Sequence, residues 1–337
     1  GLSISLEAAR RLLEEVPAAE DVEVPSRQGP RPDFRVKWAF QTAAKAAIAA
    51  VVPLDEQRTL ICSQAGDAYC LATENGKRLS NLVKAGKGYD AFTIWGSEGI
   101  ARNTDIIGNP KMTRTVWDRQ VRFADQYNDP GNFTAFIGFE WTSINTMEAP
   151  SNLHRVVVFK DDADRAGRVL PFSTFDSYDP EDLWAYMAEY ERSTGGTVLA
   201  IPHNGNLSNG LMFATERLNG HEIDRDYAET RMRWEPLYEV TQIKGDGEAH
   251  PTLSVNDEFA DYGTWDKADI AGFKAKTDDM LPHEYARSAL HVGLQQQMEL
   301  GINPFKFGMI GSTDAHTSLA STREENYFGK MASAEPS

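Results

Sequence analysis

The chain has 337 residues, 41% of them hydrophobic, with 50 acidic residues against 34 basic ones and a formal net charge of -16. That length and apolar share exclude wholesale disorder and allow one large domain or two ordinary ones. The acidic excess excludes nucleic acid as the main partner, since a phosphate backbone is held by clustered Lys and Arg. A small anionic substrate stays open, because bound cations can dominate the field inside a site.

Taken in chain order, residues 1–80 read as a helical or irregular segment of unclear origin. Residues 4–16 have amphipathic helical spacing through Leu6, Leu12 and Leu13. A Pro-rich linker follows, then an Ala-rich helical stretch over 39–52. That stretch is too short to span a bilayer and is interrupted by Lys45, so a soluble protein is expected. Cys62 and Cys70 form no disulfide framework and no zinc pattern, which predicts two free thiols.

From residue 81 the signals are those of a folded α/β domain running to 337. Asn109-Pro110 reads as an N-cap and first helical residue, opening a helix toward Tyr127. An apolar run at 133–139 predicts a buried strand ending at Glu140, and HRVVVF at 154–159 a second. Asp179-Pro180 opens a helix that Gly195-Gly196 closes. TVLAIPH at 197–203 is a third strand and 237–243 a fourth. A helix over 283–300 ends at Gly301, and 305–310 is the last strand. Strands alternating with helices predict a parallel α/β architecture. The connections 204–235 and 244–281 are long, and loops of that length tend to be functional.

Acids and imidazoles collect at the strand ends. Glu140 closes the first strand, His203 the third, and Asp314-Ala315-His316 follows the last, while His154 begins the second. In parallel barrels the strand C-termini share one mouth, and carboxylates with imidazoles there are a ligand set for Zn²⁺, Mn²⁺ or Fe²⁺. Glu140 suits a bridging position, because a carboxylate can offer one oxygen to each of two cations. Each residue also has an ordinary explanation: a salt bridge for Glu140, a satisfied structural role for His154, turn chemistry for His203, an N-cap for Asp314. Their coincidence at strand ends favours a site. His221, His283 and His291 read as surface residues and His250 as structural.

GFEWTS, NLHRVVVF, AIPHNGN and GSTDAH, in this order, resemble the later motifs of the PHP (polymerase and histidinol phosphatase) superfamily. Longer phrases, LYEVTQIKGDGEAHP at 237–251 and NPFKFGMIGSTDAHT at 303–317, are similar to a bacterial branch of it whose function is unknown. The resemblance covers about 80–337. It implies a distorted (β/α)7 barrel with two or three divalent metal ions at its mouth. It also implies metal ligation by Glu140, His154, His203, Asp314 and His316. The family opens with His-x-His and Asp-His motifs, whereas this chain has no histidine before His154. The corresponding expectation is a barrel incomplete on its N-terminal side and at its C-terminus, with fewer ions.

The function implied is a metal-dependent hydrolase, a phosphoesterase acting on a small anionic substrate. Glu140, His203 and Lys244 are its catalytic candidates, with Lys244 neutralising a phosphate oxygen. Trp141, Asn204 and Asn206 are the candidates for shaping the pocket. Two alternatives stand beside it: a non-catalytic module binding at most one metal, and a hydrolase of a non-phosphate ester or amide. A bacterial cytoplasm or periplasm fits the resemblance, and oligomeric state is open.

Overall fold

A computed structural model describes residues 71–87, 90–91, 94–99, 103–143, 150–270 and 272–314. The helices expected over 4–16 and 39–52, the two cysteines and His316 lie outside these residues. The chain divides into two compact units, one comprising residues 1–92, 107–137 and 314–337, the other 93–106 and 138–313.

In the first unit, α1 (Glu74–Lys84) runs across residue 80, where the sequence reading divides the chain. Thr73 caps it, its hydroxyl accepting from the Gly76 N–H at 3.0 Å, with Glu74 in the first turn and Lys84 in the last, as the helix dipole favours. Helix α2 (Pro110–Tyr127) starts where Asn-Pro predicts, and the Asn109 carboxamide accepts from the Lys111 and Met112 N–H groups. Met112, Val116 and Gln120, with Thr113, Trp117 and Val121, recur at four-residue spacing and form its buried stripe.

The second unit holds two sheets. In the first, β1 (Ile137–Trp141), β2 (Arg155–Phe159) and β3 (Val198–Pro202) lie in that order, and β2 pairs antiparallel with β3. In the second, β4 (Leu237–Gln242) lies between β5 (Gly245–Asp246) and β6 (Gly308–Gly311), antiparallel to β5 and parallel to β6. Between the strands run α3 (Ala163–Ala166), α4 (Pro180–Thr194), α5 (Arg225–Trp234) and α6 (Ala286–Leu300). Gly195 and Gly301 close α4 and α6 in the left-handed conformation, as the sequence predicts.

This overturns the (β/α)7 barrel. The described residues form two open three-stranded sheets and six α-helices. A (β/α)7 barrel needs every strand paired on both sides in one closed parallel series. Here the connection through α4 returns the chain antiparallel beside β2. No helix among the described residues is long and apolar enough to cross a membrane.

Leu153, Met212, Phe213, Tyr238, Val240, Ala286, Ala289 and Phe305 form one buried core cluster, tying β4 to α6 and to the 204–235 connection. Phe213 meets Tyr238 and Phe305 edge-to-face at 5.0 and 5.5 Å. Beside it lies a buried charge network. The Glu235 carboxylate accepts from Arg155 Nε and from Trp184 Nε1, both at 2.9 Å. Arg231 Nε stands 3.2 Å from its other oxygen, an ion pair without hydrogen-bond alignment. Burial alone would push the Glu235 carboxyl up, but the two guanidinium groups hold it below its ordinary value.

Removing the carboxylate charge leaves two buried guanidinium groups uncompensated. Glu235→Gln is expected to lower unfolding free energy by about 3–5 kcal/mol, read from urea denaturation. A change below about 1 kcal/mol, the range of exposed pairs, would show that the network is not stabilising.

Candidate metal centre

The strand pairing builds the centre. Arg155 lies opposite Pro202 in the β2–β3 register, so the residue before β2 meets the residue after β3. These are His154 and His203, and the His203 N–H donates to the His154 carbonyl at 3.3 Å. Their rings stand 5.8 Å apart and nearly perpendicular. Glu140, one residue from the end of β1, reaches between them. Its Oε1 lies 2.9 Å from His154 Nδ1 and 3.3 Å from His203 Nε2. One ligand atom from each of the three residues falls within 4.8 Å of the others.

The donor set fits a cation. His154 Nδ1 faces a carboxylate oxygen, so it carries the proton, and Nε2 keeps a lone pair. That Nε2 is buried and makes no hydrogen bond. His203 has Glu140 Oε1 on its Nε2 side and the Ile201 carbonyl 3.4 Å from Nδ1, and both are acceptors. A neutral imidazole has one N–H and cannot serve both. With the proton on Nδ1, the second lone pair faces the carboxylate, and a cation satisfies both groups. Metal-bound histidines commonly carry such a second hydrogen bond to a carbonyl or carboxylate.

The charge states agree. Burial pushes the His154 imidazole down to about 4, against the pull of Glu140 and with a further push from the Lys244 charge. Burial would raise Glu140, but its contacts with the His154 and His203 imidazoles outweigh it and hold the carboxyl well below its ordinary range. An anionic carboxylate and a neutral imidazole are the forms that bind metal.

Of the five ligands expected from sequence, the structure brings together Glu140, His154 and His203. Asp314 belongs to the other compact unit, where it is buried with φ +52°. Lys244 is buried in the turn between β4 and β5. Its N–H donates to Gln242 Oε1 at 3.0 Å and its carbonyl accepts from Asn206 Nδ2 at 3.1 Å. Asn204, at φ +54°, accepts from Gln242 Nε2 at 2.9 Å, and its buried Nδ2 has no partner. Trp141 is wholly buried, its indole N–H donating to the Ser177 carbonyl at 3.2 Å, so its ring belongs to the core.

Two residues were not anticipated. Asn152 caps the turn into β2, its Oδ1 accepting the His154 N–H at 3.2 Å, and its buried Nδ2 has no partner. The Asn-x-His spacing of an Asx turn is the signal that could have found it. Gln242 links Asn204 to the Lys244 backbone, and no local pattern marks it. Among the other histidines, His221 and His291 are exposed, as expected. His283 is half-buried and holds the Phe213 carbonyl at 2.9 Å, which corrects its surface reading. His250 is buried against Asp266 at 3.0 Å.

His154 predicts a pH dependence. Unfolded, it takes a proton near its ordinary 6.5; folded, it stays neutral down to about 4. Across that window the unfolded chain binds more protons, so stability falls as pH falls. The lowered Glu140 carboxyl adds a loss of the same sign at the acid end. With metal chelated, the urea midpoint should drop between pH 7 and pH 4, and less steeply in His154→Gln. Equal slopes in the two proteins would refute the assignment.

No curated protein and no solved structure matches the chain. A family model does match, over residues 56–337, more than half of the chain. The chain belongs to the family described as "Protein of unknown function (DUF3604)".

Proposed function

We propose that the Glu140–His154–His203 centre holds a divalent metal ion, Zn²⁺, Mn²⁺ or Fe²⁺, and that the chain is a metal-dependent hydrolase of phosphoesters. The observation that carries the reading is the carboxylate oxygen facing both imidazoles while the buried His154 Nε2 stands without a partner. The order of the motifs around Glu140, His154, His203 and Asp314 supports a PHP-type site, independently of any barrel. A bound divalent cation supplies Lewis acidity toward a phosphoryl oxygen and acidifies water toward neutral pH.

The chain's own residues do the rest. Glu140, His154 and His203 would hold the ion. The Ile201 carbonyl orients the His203 ring, and the Asn152 carboxamide fixes the backbone of His154. The Lys244 ammonium, near enough to depress His154, supplies positive charge for a phosphate oxygen. The unpartnered Asn204 Nδ2 is a donor beside His203. Together they favour an anionic ester within an acidic protein.

A second reading is favoured by the size of the gathered set, three ligands among the described residues. It is a module that binds one ion weakly and turns nothing over.

After equilibration with Mn²⁺ or Zn²⁺ and desalting, elemental analysis is expected to find at least one ion per chain, with affinity reduced roughly 10–100-fold or more in Glu140→Gln. No retained ion in the wild-type protein would overturn the metal centre. Mn²⁺-dependent release of phosphate from phenyl phosphate should fall at least about 100-fold in His203→Ala. Retained activity in that variant would remove His203 from the site. A bound ion with no phosphate release would favour the second reading, and cleavage of a carboxylic ester instead would move the substrate class.

A further inference from the structure

The long connection 244–281 is fastened beside His203 through Asn206 and is braced by contacts of its own. Asn206, three residues after His203, donates through one Nδ2 to two carbonyls, those of Lys244 and Trp265, each at 3.1 Å. The Asp246 N–H donates to the Gly263 carbonyl at 3.0 Å. His250 holds Asp266 at 3.0 Å, and the Thr252 N–H donates to His250 Nδ1 at 3.2 Å, which leaves the His250 proton on the Asp266 side. Gly245 permits the closest approach: a Cβ there would lie 2.7 Å from Trp265 Cβ. Trp265 is therefore seated on the residue next to Lys244, and its backbone is fixed by the same amide that fixes Lys244.

The indole is only partly covered. Trp265 is 45% exposed, and no ring stacks on it among the described residues. A large apolar ring with clamped neighbours and a partly open surface leaves part of its burial energy unrealised. It is a sound design for a platform, because little conformational entropy is lost when a flat group stacks on a ring already held in place.

We infer that Trp265 is a specificity-determining residue of the centre, stacking against a planar aromatic leaving group, so that the preferred substrates are phosphate monoesters of aryl alcohols or nucleosides. This rests on the hydrolase reading above. Lys244 meets the phosphate and Trp265 the ring, and Asn206 sets the spacing between them. Neither Asn206 nor Trp265 contacts the ligand set directly, so the inference concerns selection of substrate and leaves the bond-breaking residues as assigned.

The test is a ratio of affinities, measured by titration calorimetry on the Mn²⁺-equilibrated protein with phenylphosphonate and methylphosphonate. The wild-type protein should prefer the phenyl compound by roughly tenfold, the scale of an aromatic stack. Trp265→Ala should abolish the preference, and Trp265→Phe, which keeps a ring, should retain most of it. The ratio of kcat/KM for phenyl phosphate over glycerol 2-phosphate should move in parallel. Adenosine 5′-monophosphate compared with ribose 5-phosphate separates a nucleoside from a simple aryl source. Equal binding of the two phosphonates by the wild-type protein, or a preference that survives Trp265→Ala, would overturn the role of Trp265 and leave the hydrolase reading standing. Binding of neither phosphonate would overturn both.

Discussion

The antiparallel ladder between β2 and β3 is the constraint from which the centre follows. Its register sets Arg155 opposite Pro202 and so carries the flanking histidines face to face. A slip of one residue would turn one imidazole to the other side of the sheet and dismantle the pair. The slip is resisted on two sides. Val157 and Phe159 are buried on one face of β2, and Arg155 is locked at its start by Glu235 and by the Leu153 carbonyl at 2.6 Å. A charge one residue from His154 thus acts as a register pin. Buried ion pairs are poor sources of net stability but can specify an arrangement, and the position of Arg155 suits that role.

The centre is a case of local electrostatics running against the global balance. The chain as a whole is strongly acidic, yet the groups around Glu140 are two imidazoles, a buried ammonium and amide N–H donors. One carboxylate supplies the negative charge, and burial keeps water from screening it. The amide side chains of Asn204, Asn206 and Gln242 then hold the turn that carries Lys244, through hydrogen bonds of 2.9–3.1 Å. Asn206 also fastens the 244–281 connection, through the Lys244 and Trp265 carbonyls.

Much of the local structure was legible in the residues. Asn109-Pro110 and Asp179-Pro180 opened helices where capping chemistry places them, and Gly195 and Gly301 closed two. The short β-rich runs at 133–139, 154–159 and 197–203 correspond to strands, the first shifted to Ile137–Trp141. What misled was the step from alternation to a parallel barrel. Hydrophobic runs separated by helices announce strands but not their direction, because direction depends on how the connecting chain packs. His154 at the start of a strand was the discordant sign: in a parallel barrel it would sit at the wrong end, and only an antiparallel return brings it to His203.

Sequence by itself determined the chemical inventory: which acids and imidazoles exist, which lie at strand ends, and where helices begin and stop, since these follow from side-chain type and short spacing. Tertiary structure decided which of them meet. It placed Glu140 between His154 and His203, buried Trp141 and Lys244, and left the Trp265 ring partly exposed. Those outcomes depend on pairing between segments tens of residues apart, where the free energy of packing a whole sheet and its core outweighs any local preference.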